Sequence, residues 1–100
     1  MSRTIITNNP QGNWFMPNVS GNYDYGKICK IAGIKVCIDN TDPEDILVTF
    51  PYEMTKEEAN QSLIKIDTAI QDNKYSNDED LGYAIIFREF LKDSQGYHCI

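Results

Sequence analysis

The side chains able to do chemistry in this chain are few: one histidine, three cysteines and fifteen acids. His98 stands beside Cys99, two residues from the C-terminus. Nucleophilic catalysis of the Ser–His or Cys–His kind needs a histidine held by a third group next to its nucleophile. Chain ends tend to fray, so an exposed terminal histidine without a catalytic role is the expectation. Cys29, Cys37, Cys99 and His98 have the composition of a zinc site. Their spacing departs from the usual short Cys-to-Cys interval, and a hairpin over residues 27–38 would turn Cys29 and Cys37 to opposite faces. Cys29 is expected in the core and Cys37 partly covered. An odd number of cysteines fits free thiols in a reducing compartment. The acid-rich run from Asp39 to Asp45 lacks the spacing, central glycine and final glutamate of a calcium loop. Gly12, Gly21, Gly26 and Gly33 match no phosphate-binding loop. Enzyme activity is therefore not expected, nor is a cofactor or a metal.

The charge is segregated along the chain. Residues 1–37 carry a net +3 and residues 38–100 a net −9, within a total of −6. Charge biases partners and association rates rather than fold. Such an acidic half repels nucleic acid and membrane surfaces and favours a basic protein. Lys27, Lys30 and Lys35 are too few for strong phosphate binding against that total, since affinity grows with the number of contacts. The candidate partner-binding acids are Asp39, Asp42, Glu44 and Asp45, then Asp72, Asp78, Glu79 and Asp80. They fall in loops and at helix starts, where they can share one rim. Trp14, Tyr23 and Tyr25 are candidate aromatic anchors, because aromatics in loops often serve interfaces. Capping the core is their alternative role.

The elements that must position these groups follow from pattern. One hundred residues is the size of one domain. The 41% apolar and 24% charged composition is that of a globular chain. The N-terminus has no long apolar stretch of the secretory kind, and no run approaches a membrane span, so the expected compartment is the cytoplasm. Abundant Ile, Asn, Lys, Asp and Tyr is the bias of AT-rich genomes and points to a bacterium or phage. Residues 1–26 read as a loop-rich segment with a short strand at 4–7. Residues 27–38 are β-branched and alternating, which predicts strands, with Ala32-Gly33 as a two-residue turn or Gly33 as a bulge. Ile46 to Phe50 is a further strand, within a strand region spanning 27–52. Thr55-Lys-Glu-Glu58 is a capping box ahead of an amphipathic helix over 56–71, with Asn73 as its expected stop. Ser76-Asn-Asp-Glu79 is a second box before a helix over 78–93, with carboxylates in its first turn. Gly96 is expected to end regular structure.

The fold class expected is α+β: a small, mostly antiparallel sheet of three to four strands, packed on one face by two C-terminal helices. In size and acidity the chain resembles bacterial immunity proteins that protect cells from nuclease toxins, including those of contact-dependent growth inhibition systems. That resemblance implies a stoichiometric inhibitor of a basic enzyme, a monomer or weak homo-oligomer, with no direct nucleic-acid or membrane contact. The alternatives are a phage anti-defence or DNA-mimic protein, a small ligand-binding or sequestering module using the N-terminal aromatic loop, and a subunit of a larger assembly meeting its partner through Ile86 and Phe90.

Overall fold

The computed structural model describes residues 5–9, 19–38 and 48–99. Its most locally encoded element is the helix α2 (Lys56–Gln71). Thr55 Oγ1 accepts from the Glu58 amide at 3.2 Å, and Glu58 Oε1 accepts from the Thr55 amide at 3.0 Å. Two of the free donors at the helix start are thus satisfied reciprocally. Ala59, Ser62, Ile66 and Ala69 are buried along one face. The helix ends as its sequence predicts. Asn73 adopts a φ of 56°, its amide donates to the Ile70 carbonyl, and the Lys74 amide donates to Ala69. That pair of bonds is a Schellman motif around a left-handed residue.

A six-residue turn leads to the helix α3 (Asp78–Ser94). Its cap sits one residue later than the sequence pattern suggests: Asn77, not Ser76, accepts from the Asp80 amide at 2.8 Å. Arg88 of α3 reaches Asp67 of α2 at 3.2 Å. That ion pair and the short turn between them hold α2 and α3 together as a hairpin. The face formed by Ala84, Phe87, Phe90, Leu91 and Ser94 is buried. Ile85 and Ile86 are left exposed, but Phe90 is not, so it cannot share an exposed face with Ile86.

The largest departure from expectation is α1 (Val19–Ala32), a helix where a loop and then a β-strand were predicted. Tyr25, Ile28 and Cys29 are buried and Ala32 is half-buried. Their i, i+3, i+4, i+7 spacing is a helical stripe. Gly33, expected in a hairpin turn or bulge, instead closes the helix with φ +82°. The Gly33 amide donates to Lys30 and the Ile34 amide to Cys29, again a Schellman motif. β-branched propensity lost to packing here. Among the described residues of 27–52, strand is found at β2 (Cys37–Ile38) and β3 (Val48–Thr49), an antiparallel pair with Cys37 opposite Thr49.

The three-stranded sheet joins a strand near each end of the sequence to one from its middle. β1 (Ile5–Thr7) and β4 (Glu53–Met54) flank β5 (Tyr97–Cys99), all antiparallel, in the order β1-β5-β4. The expected tail is therefore the central strand. Tyr97 is buried and His98 exposed, the period-two alternation of a strand. The Tyr97 hydroxyl donates to the Pro51 carbonyl at 2.6 Å. The fold is α+β, and the described residues form two small antiparallel sheets and three helices rather than one sheet and two helices. A chain of rings fills the core, Tyr25–Phe87–Phe50–Tyr97–Phe90, at centroid separations of 5.2–6.3 Å. These are favourable aromatic spacings. Among the described residues, no helix is long and apolar enough to cross a membrane.

Candidate functional site

The acids that sequence patterning singles out divide into two groups. Asp39, Asp42, Glu44 and Asp45 lie outside the described residues, as does Trp14. Asp72, Asp78, Glu79 and Asp80 come together at one end of the α2–α3 hairpin. Asp72 is the C-cap residue of α2, and the other three fill the first turn of α3. Asp78, Glu79 and Asp80 stand there because carboxylates are favoured at the positive end of the helix dipole. That placement also points charge outward at the hairpin tip. Asp72, Asp78 and Glu79 are exposed, and among the described residues none of them has an ion-pair partner.

Asp80 behaves differently. Its side chain is only 13% exposed, and it meets Lys27 Nζ of α1 at 3.0 Å. It also accepts from Asn77 Nδ2 at 3.2 Å. Asp80 therefore docks α1 onto the start of α3, and its charge is partly spent there.

Two residues that the sequence did not suggest complete this corner: Asp24 and Tyr83. The Tyr83 phenol is held above its ordinary range first by the charge of Asp24 and then by burial, with Glu79, a hydrogen bond to Asp24 and Asp80 adding in the same direction. A phenol that resists ionising in this way reports a negative field from α1 and α3 together. Tyr83 packs edge-on against Tyr25, with centroids 5.2 Å apart. Asp24, Glu79 and Asp80 thus act on Tyr83 where the two helices meet, and Asp80 is the one of them paired with Lys27 among the described residues. Asp24 was legible in principle. Once Tyr25, Ile28, Cys29 and Ala32 are read at helical period, Asp24 and Lys27 fall beside that stripe as an i, i+3 pair.

Two of the aromatic anchors, Tyr23 and Tyr25, sit on α1, not on a loop. Tyr25 is 7% exposed and belongs to the core, while Tyr23 is half-buried. Burial, then Tyr83, then Asp24 raise the Tyr25 phenol.

The cysteines and histidine are spread over three elements. Cys29 is fully buried in α1, and burial pushes its thiol up, which keeps it protonated and unreactive. Cys37 and Cys99 are half-buried on β2 and β5. His98 is exposed on β5, opposite Ile6 and Glu53. Among the described residues, no three His, Cys, Asp or Glu side chains are placed to hold a metal ion. No protein-family model, curated protein or solved structure matches the chain.

Proposed function

We propose that this protein binds a basic protein one-to-one and neutralises it, as an immunity or antitoxin protein neutralises a nuclease toxin. The observation that carries this reading is the gathering of unpaired carboxylates at the hairpin tip. Asp72 comes from the turn after α2 and Asp78 and Glu79 from the start of α3, and all three are exposed at the same end, beside the negative corner of Asp24 and Tyr83. Such a field attracts a cationic surface over several ångströms and accelerates encounter. The exposed rim sets rate and selectivity. Nothing in this role requires a catalytic side chain.

The test uses the product of the adjoining open reading frame, when basic, or otherwise a set of basic bacterial nucleases. Binding is measured by calorimetry at several salt concentrations. A one-to-one complex whose affinity falls as salt rises, and which inhibits the enzyme, is the expected result. Reversing Asp78 and Glu79 to lysine should slow association by about tenfold or more. Binding that ignores both salt and the charge reversal would sink the proposal, as would no binding at all.

A further inference from the structure

Glu58, Gln61, Ser62 and Lys65 of α2 line one cleft of about 450 Å³. Their i, i+3, i+4, i+7 spacing puts them on a single helix face. The volume suits a small molecule. This face runs from an acid to a base. Seven residues of helical rise separate Glu58 from Lys65, about 10 Å along the axis.

Each pole is doubled from across the cleft. Lys65 Nζ reaches the Gly33 carbonyl at 3.3 Å, two residues before Lys35, which also lines the cleft. Glu53 lines it from β4, the strand that leads into the Glu58 end of α2. Among the described residues, neither lysine has a carboxylate partner. Glu58 is already fixed in place through Oε1, which accepts from Thr55, leaving Oε2 available. Between the poles, Ser62 is 7% exposed, and among the described residues its hydroxyl has no hydrogen-bond partner. That hydroxyl is open to the cleft rather than sealed in the core, where among the described residues Thr49 Oγ1 is the buried side-chain oxygen left without a partner. Ile34, Val36 and Met54 give the cleft an apolar wall.

We propose that this cleft binds a small amphoteric molecule with an apolar body. Its anionic group lies between Lys35 and Lys65, and its cationic group lies against Glu53 and Glu58. A polar atom between them meets the Ser62 hydroxyl. The site stands apart from the acidic hairpin tip, which lies at the opposite end of α2, and does not depend on what binds there.

The probe is ω-aminooctanoate, an unbranched chain with a carboxylate at one end and an amine at the other. Octanoate and octylamine serve as single-charge controls. Amide chemical shifts of the full chain are followed through the titration. Saturable shifts confined to residues 34–37, 52–54 and 58–65 are expected, with affinity about tenfold above either control. Lys65→Glu, at an exposed position, should weaken the amphoteric probe by about tenfold or more. Lys35→Glu should do the same and guards against a local folding defect in the first variant. The proposal is overturned by shifts that do not saturate or that fall elsewhere, by a single-charge control binding equally well, or by both variants binding like the parent.

Discussion

α1 and α2 are helices of similar length, and they hold their shape for different reasons. α2 is written locally: a capping box starts it, a helical stripe faces inward, and Asn73 stops it. α1 carries three β-branched residues and two glycines in fourteen positions, a composition poor for an isolated helix. What stabilises it is contact. Its Gly26 lies directly on β3, where an added Cβ would fall 2.1 Å from the Val48 carbonyl oxygen and 2.7 Å from the Thr49 Cα. Tyr25 and Ile28 sit in the core beside it. The lesson is that a residue unfavourable for the helix can be what lets the helix dock.

Gly26→Ala should break α1 most severely. The clash is with backbone, which cannot rotate away as a side chain can. A loss of about 3 kcal/mol or more is expected from such overpacking, a large share of a small domain's total stability. Chemical denaturation checks this. A loss below about 1 kcal/mol would mean that α1 and β3 are not closely docked.

Tyr75→Phe probes the next contact. Tyr75, in the turn after α2, donates its hydroxyl to the Ile28 carbonyl of α1 at 3.0 Å. Losing this buried bond should cost about 1 kcal/mol. Burial also pushes the Tyr75 phenol up to about 12 from its ordinary 10.0. The folded state therefore keeps its proton over a range where the unfolded chain releases it. Stability from this source is complete below pH 10 and is lost as pH rises from 10 toward 12. The phenylalanine variant should show a shallower alkaline decline than the parent. An identical decline would remove Tyr75 from the account.

Thr55→Ala acts on the opposite arm of the comparison. It deletes the hydroxyl of the capping box and should cost about 1 kcal/mol, as N-cap losses do. Because α2 carries its own start signal, the change should appear in α2 amide exchange before it appears in α1. Simultaneous loss of protection in both helices would show that α2 is no more autonomous than α1.

The same contrast explains what could be read from the residues alone. The Thr55–Glu58 box, the Asn73 stop and the acidic start of α3 are contacts within four residues, so the pattern displayed them. α1 was hidden because Ile28, Ile31 and the flanking glycines match strand and turn preferences as well as helical ones. Only β3, twenty-two residues beyond Gly26, decides between them. The central strand β5 was hidden for a related reason. Three residues at a chain end carry too little pattern, and their partners, Ile5 and Met54, are distant in sequence. At the hairpin tip, Asp78, Glu79 and Asp80 were legible because capping places them. Asp24 and Tyr83 were not, because their meeting depends on how α1 lies against α3. The cleft was illegible as a site: Ser62 and Lys65 share a face with Glu58, but residues 34–37, 51–54 and Cys99 supply the rest of its lining.

The smallest expected effect is also the one that ties stability to binding. Lys27 is 59% exposed, and its contact with Asp80 is a surface pair, so Lys27→Ala should cost only about 0.5 kcal/mol, less at high salt. The same substitution removes the ammonium that offsets Asp80 beside the acidic start of α3. The negative field at the corner deepens, and association with a cationic protein should quicken by a few-fold at low salt. Stability and association rate thus move in opposite directions. A purely structural role for the corner predicts the first change without the second. The two readings separate in one experiment, with denaturation and stopped-flow association run on the same variant. Asp80→Asn supplies the counter-check: it loses the same pair but also loses negative charge, so both quantities should fall together.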